Sequence, residues 1–435
     1  MPEIGWIDRF VREVKPYVFV REEDSLLIVM PNRAYKLNPT AVAILGRVLD
    51  GESIVTLMGR HAQDEQKARQ VSDFFCDVRA AVMDCLGEGE GRRAVELIPY
   101  TLPFNTLPVL SEVALTYRCN LRCVFCYAGC ECRKGDRREM TTREVKRILW
   151  VIRHDARVPS TSFTGGEPTL RSDLAELIRA ARETGLRVNL ITNATLLDEK
   201  TVAVLKAAGL DSAQVSLEAP DASVHDSLTG EPGSFELTRR GIRCLQDAGI
   251  YVHTNTTLNR VNCGLAVRMP GFVKALGLKR FSMNLLIPCG RALDHREAWL
   301  SYADVGPIVD AVRRRAREEG VGFMWYSPTP YCLFNPVAHG LGGKACAACD
   351  GLLSVAPDGS VLPCSSFGEG VGNLLSEDFL TLWNSARARY FRSREYAPQG
   401  CRSCELFTLC GGACPLYWKA VGEAELIETA AGRGG

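Results

Sequence analysis

The chain has 435 residues, 46% apolar and 24% charged, with 52 basic against 51 acidic side chains. That length holds two or three domains around a substantial core, and the balanced charge excludes an electrostatic nucleic-acid binder. No apolar run reaches the ~18 residues of a membrane span, and MPEIGWIDRFVREVKPY lacks a signal-peptide apolar core, so a cytoplasmic protein without membrane or nucleic-acid partners is expected.

In chain order, residues 1–100 hold strand-like runs in YVFVREEDSLLIVM and YKLN. Helical patterns follow in TAVAILGRVLDG and DEQKARQVSDFFCDVRAAVMDCL, with Leu37, Ala41, Ile44, Leu45 and Val48 spaced to face one core. A small α+β domain is expected, closed by the Gly-rich linker GEGEGRRAVELIPYTLPFNTLP. Residues 105–330 alternate short apolar runs with helical stretches. The strand candidates are EVALTY, STSFTG, RVNLIT, AQVSLE, IYVHTNTT and KRFSMNLLI, with REVKRILWVIRH, DLAELIRAARETG and KTVAVLKAAG between them as helices. Six βα units predict a parallel sheet with helices outside, either a partial barrel or an open doubly wound sheet, and ligands at the strands' carboxyl ends. Residues 331–435 carry eight cysteines among Gly and Pro turns, which predicts metal sites as staples.

All but Cys76 and Cys85 of the 18 cysteines lie at or beyond residue 119. The cytoplasm keeps thiols reduced, so clustered cysteines read as metal ligands rather than disulfides. With only six histidines in the chain, thiolate ligation points to iron–sulfur rather than to catalytic zinc or copper. In TYRCNLRCVFCYAGCEC, residues 116–132, Cys119, Cys123 and Cys126 are spaced to hold three corners of a [4Fe–4S] cube and leave one iron open. Cys130 and Cys132 fall outside that spacing and are expected not to be ligands of this cluster.

This spacing, with Phe125 before the last cysteine, resembles the signature of the radical S-adenosylmethionine (SAM) enzymes. The resemblance continues through FTGGEP, LITNAT and VSLEAP at successive strand ends. It implies a (β/α)6 partial TIM barrel in which SAM meets Gly165, Gly166 and Glu167, Asn193, Ser216, Glu218 (in place of the usual aspartate), Asn255, and Leu286 and Ile287 near the adenine. It also implies one-electron cleavage of SAM to methionine and a 5′-deoxyadenosyl radical that abstracts a substrate hydrogen. Tyr127, Cys263, Cys289 and Asn284 are candidates for lining the barrel.

The run CDGLLSVAPDGSVLPC and the later CRSCELFTLCGGACP resemble the SPASM domain of radical SAM maturases, which holds auxiliary [4Fe–4S] clusters. By that likeness one cluster takes Cys349, Cys364 and Cys414, with Cys346 preferred to Cys332 as its fourth ligand. The other takes Cys401, Cys404 and Cys410. The family's further C-terminal cysteine is missing here, which leaves an open iron, a carboxylate such as Glu423 or Glu425, or no second cluster. Residues 1–100 resemble the small PqqD-like recognition domain, expected as a winged-helix-like α+β fold that adds a leader peptide as an extra strand. The strand at Leu26–Val29 is expected at its edge, with helix 66–85 completing the groove. Together these likenesses imply a radical SAM maturase acting on a ribosomal precursor peptide, fed electrons by a flavodoxin or ferredoxin. The alternatives are a small-molecule precursor of tetrapyrrole or pterin type, or a non-catalytic electron carrier.

Overall fold

A computed structural model describes residues 4–30, 33–83, 95–96, 106–128 and 138–426. The chain forms two compact units, Met1–Leu110 and Ser111–Gly435. In the first, β1 (Val18–Arg21), β2 (Leu26–Val29), β3 (Arg33–Leu37) and β4 (Val95–Glu96) form one sheet in sequence order. β2 pairs with both β1 and β3 and is buried along its whole length. The expectation that Leu26–Val29 is an edge strand is therefore wrong. Its continuous apolar run is that of a central strand, and β1 is an edge among the described residues.

Asn38, whose side chain accepts from the Ala41 amide, and Pro39 at the first turn start helix Pro39–Leu49. Asp64 caps Glu65–Val82 in the same way. Leu37, Ala41, Leu45 and Val48 share a core with Phe74, Phe75 and Val78, and the half-buried Ile44 packs against it. Helix Trp6–Val14 adds Ile7 and Val11 to this core. Its charged face dominated the sequence reading, which left it unassigned.

The second unit is built on β5 (Leu110–Thr116), β6 (Ser160–Gly165), β7 (Arg187–Thr192), β8 (Ser212–Ser216), β9 (Tyr251–Leu258) and β10 (Arg280–Leu285). They pair in parallel, each with the next. These six match the strand runs read from the sequence. A seventh parallel strand, β11 (Gly322–Trp325), extends β10. Four residues after the charged helix Tyr302–Glu319 gave too short a pattern to be read. β5 and β11 lie at opposite ends of the parallel run, so the barrel is partial.

Beside β5 the sheet continues into β12 (Leu352–Val355), β13 (Ser360–Leu362) and β14 (Gly372–Asn373), the last two added antiparallel. The cysteine-rich C-terminal region is thus an extension of the barrel sheet. Ser354 Oγ donates to Glu112 Oε1 at 2.7 Å across this join. Because parallel strands with right-handed crossovers end on one side, the loops after β5, β6, β7 and β8 gather on one rim. Among the described residues no helix is long and apolar enough to cross a membrane.

Candidate iron–sulfur and SAM site

The loop carrying Cys119, Cys123 and Cys126 leaves β5 and is fixed by backbone bonds to three other segments. The amides of Gly166 and Glu167 donate to the carbonyls of Thr116 (2.7 Å) and Arg118 (2.8 Å). The Arg122 and Val124 amides donate to Thr229 (2.9 Å) and Leu228 (3.0 Å), the end of helix Ala222–Thr229. The Arg291 amide donates to Cys126 at 3.1 Å.

Such close approach explains the glycines. A Cβ on Gly166 would lie 2.8 Å from the Tyr117 carbonyl oxygen and overlap that of Arg118, and Gly165 has φ +134°. Gly290, which the sequence reading missed, has φ +56°, and a Cβ there would overlap the Cys126 carbonyl oxygen. Its only sequence signal was a glycine beside Cys289.

Burial pushes the Cys123 thiol well up, and the nearby Cys126, Glu218 and Cys119 push it further. Thiols that raise one another share a space where their ionised forms need a positive centre. Among the described residues no three thiol, imidazole or carboxylate groups converge as ligands of a single ion would. A four-iron cube instead takes its thiolates at separate irons.

The structure places the expected SAM contacts as follows. Glu167 is buried, and its carboxylate accepts from the Thr169 amide (3.0 Å), Thr169 Oγ1 (2.6 Å), Thr192 Oγ1 (2.8 Å) and the Asn193 amide (2.9 Å). It ties β6 to β7, and burial raises its pKa against those bonds. Asn193 Nδ2 donates to Asn120 Oδ1 at 3.0 Å and sits 3.9 Å from Cys119 Sγ, while its Oδ1 accepts from the Thr195 amide at 2.9 Å. Asn193 thus braces the ligand loop at Asn120, and Glu167 holds the Asn193 amide.

Asn255 lies inside β9, level with Ser216 at the end of β8. Its Nδ2 donates to Asn284 Oδ1 at 2.7 Å, and its Oδ1 accepts from Ser282 Oγ at 2.9 Å. Ser216 and Ile287 are half-buried. Phe125 and Leu286 meet in one apolar group with Ala292, Ala298 and Trp299, an apolar wall beside the cysteine loop. Glu218 is buried and pushed up to about 8 by desolvation, and the Thr257 amide donates to it at 2.8 Å.

Of the other barrel candidates, burial pushes Tyr127 up, next to Glu112 and Thr164. Cys289 is buried and close enough to Cys414 for its charge to act there. Cys263 caps a short turn through the Arg260 carbonyl at 3.3 Å. Cys130 and Cys132 lie outside the described residues.

The C-terminal cysteines form two sets. Burial raises Cys346, Cys349, Cys364 and Cys414. The charge of Cys346 acts on each of the other three, and that of Cys414 on Cys364. Cys401 is pushed up to about 12 by burial, with Cys410, Cys332, Cys404 and Glu423 around it. Cys346, preferred to Cys332 for the first set, lies near Cys349, Cys364 and Cys414. Arg394 is buried, pairs with Asp350 at 3.3 Å, and has Nε and one terminal nitrogen without an acceptor among the described residues. Thr329 Oγ1 is buried in the same condition. A sulfide-bearing cluster supplies acceptors of that kind, so these residues fit it.

Family models match at residues 113–262, described as the radical SAM superfamily, and at 345–405, described as an iron–sulfur cluster-binding domain (SPASM). The chain is 30% identical over 322 residues to an AdoMet-dependent heme synthase of Nitratidesulfovibrio vulgaris, covering 68% of this chain and 85% of that protein. It is 29% identical over 319 residues to a PqqA peptide cyclase of Rhodopseudomonas palustris, covering 71% and 82%. Its fold is similar to Streptococcus suis SuiB, crystallised with the precursor peptide SuiA, at TM-score 0.69 and 18% identity over 92% of this chain and 95% of SuiB.

Proposed function

Because this chain belongs to the radical SAM superfamily and carries a SPASM domain, we propose that it is a maturase that abstracts hydrogen from a ribosomal precursor peptide to modify it. A [4Fe–4S] cluster with SAM supplies one-electron cleavage to methionine and a 5′-deoxyadenosyl radical. Cys119, Cys123 and Cys126 would hold that cluster. The backbone of Gly165 and Gly166 would meet the amino-acid end of SAM, and the Phe125–Leu286 wall would shield the adenine end from water. Glu167 and Asn193 act as positioning residues, since the Glu167 carboxylate is spent on Thr169, Thr192 and the Asn193 amide, and the Asn193 side chain on Asn120 and Thr195. Cys346, Cys349, Cys364 and Cys414 would hold an auxiliary cluster, and a flavodoxin or ferredoxin would deliver the electron.

The observation that carries the peptide reading is the N-terminal unit. It is a separate four-stranded sheet with β1 at an edge among the described residues, the kind of edge to which an extended peptide adds a strand. Relatedness to a PqqA peptide cyclase supports the same substrate class. A second reading, a tetrapyrrole substrate, is favoured by the likeness to the heme synthase.

The test is to incubate reconstituted full-length protein with SAM and reduced flavodoxin, adding either peptides encoded beside its gene or a porphyrin precursor. Peptide mass loss coupled to 5′-deoxyadenosine supports the first reading. Turnover of the tetrapyrrole alone overturns it.

A further inference from the structure

Cys401, Cys404 and Cys410 supply three thiolates, one short of the four irons of a cube, and residues 415–435 contain no cysteine. The tertiary structure brings one from upstream. The Tyr331 amide points at Cys410 Sγ at 3.4 Å, and Cys410 Sγ lies 3.9 Å from the Thr329 carbonyl. Segment 329–331 therefore runs against a proposed ligand. The amides of Leu333 and Phe334 both return to the Pro330 carbonyl at 2.9 Å, a tight turn with Tyr331 and Cys332 at its apex. Cys332, next to Tyr331 on that turn, is near enough to Cys401 for its charge to act there, as are Cys410 and Cys404.

We propose that Cys332 is the fourth thiolate ligand of the second auxiliary cluster, together with Cys401, Cys404 and Cys410.

The competing ligands are less suited. Cys346 belongs with Cys349, Cys364 and Cys414. Glu425 is held by the Ala303 amide at 3.0 Å and by the Tyr417 hydroxyl. Glu423 is exposed. Two further features point to a ligand in this space. Thr329 Oγ1 is fully buried without an acceptor among the described residues. The Arg394 guanidinium is packed so closely against Gly411, beside Cys410, that a Cβ there would lie 2.7 Å from its central carbon.

The assignment is independent of which substrate the enzyme takes. Its consequence is that both auxiliary sites have four thiolates, so neither cluster keeps an iron open to substrate. It also replaces the carboxylate and open-iron alternatives left by the sequence.

The test is thiol footprinting of the anaerobically reconstituted full chain. Cys332 should resist iodoacetamide in parallel with Cys401, Cys404 and Cys410, and all four should label once a chelator strips the iron. Equal labelling of Cys332 in loaded and stripped protein, with Cys401 protected, overturns the assignment.

The variants Cys332→Ala and Cys332→Ser supply a second readout. The reduced protein should lose or alter the same electron paramagnetic resonance signal that Cys401→Ala alters, while the SAM-responsive signal persists and reports an intact fold. Iron should fall by about four of roughly twelve per chain if the cluster is lost outright. An unchanged spectrum in Cys332→Ala, with a changed one in Glu423→Gln, would assign the carboxylate instead.

Discussion

Gly290 lies against Cys126: a Cβ at this position would sit 2.7 Å from the Tyr127 carbonyl oxygen and overlap that of Cys126. The next amide, of Arg291, donates to Cys126 at 3.1 Å. The loop after β10 therefore clamps the last cysteine of the loop after β5. Gly290→Ala should lower SAM cleavage at least ~10-fold, the effect of a misplacement of about 1 Å or less. It should also reduce iron bound at the SAM site. Gly264→Ala, where a Cβ meets nothing within 4 Å, should do neither. Iron content and 5′-deoxyadenosine formation check both.

His225 gives the protein an acid-sensitive point behind the same loop. The Glu218 amide donates to its Nδ1 at 3.1 Å, so the ring proton sits on Nε2, which has no acceptor among the described residues. Burial pushes its pKa down to about 4. Between about pH 6.5 and 4 the unfolded chain binds this proton and the folded one does not. Stability is therefore full above pH ~6.5 and falls as pH drops, by up to about 3 kcal/mol. Denaturant midpoints measured from pH 7 to 5 should fall less steeply in His225→Gln than in wild type.

In the N-terminal unit, Arg21 and Asp24 form a buried bidentate pair at 2.8 and 2.7 Å, and Arg21 also donates to the carbonyls of Pro108 (2.6 Å) and Leu107 (3.1 Å). Arg21→Met leaves Asp24 buried without its cation, which costs about 3–5 kcal/mol. A lower unfolding temperature should be seen for this unit, and the double variant Arg21→Met/Asp24→Leu should recover part of the loss. Equal losses in both would show that the pair itself is not the cause.

The β1 edge makes a directional prediction. The Met30 amide donates to the Tyr17 carbonyl at 2.9 Å, and Val18 then pairs with Val29 and Val20 with Leu27. Antiparallel alternation turns the N–H groups of Val18 and Val20 away from β2. Val20→Pro removes one outward donor and leaves the internal ladder whole, so it should weaken precursor-peptide binding several-fold. Peptide-independent SAM cleavage should persist, and Val20→Ala should bind normally. Fluorescence titration with labelled peptide reads the difference, and equal affinity in all three would remove β1 from the docking site.

Asn193 offers a test of positioning against direct contact. Asn193→Asp keeps the acceptor for Thr195 but loses the amide that faces Asn120 and Cys119. It should lower kcat and shift the potential of the SAM-site cluster, with little change in the KM for SAM. A rise in KM alone would mean that the side chain binds SAM itself.

Much of this protein was legible as sequence. The spacing of Cys119, Cys123 and Cys126, the GGEP turn and the six strand runs are local signals, set by backbone geometry within a few residues of one another. Period-2 and helical patterns likewise exposed β5–β10, because each element buries its own face. Three features were not legible, for one physical reason. Whether Leu26–Val29 is central or at an edge depends on what pairs beside it. The need for glycine at position 290 arises from a carbonyl more than 150 residues away in sequence, that of Cys126. The partner of Cys401, Cys404 and Cys410 was sought downstream, but the turn at Pro330 brings Cys332 to them across about seventy residues. Sequence by itself determined which chemical groups the chain has and the local motifs that present them. Only tertiary packing decided which groups share one space, because thiolates, carbonyls and strand edges act over a few ångströms whatever their separation along the chain.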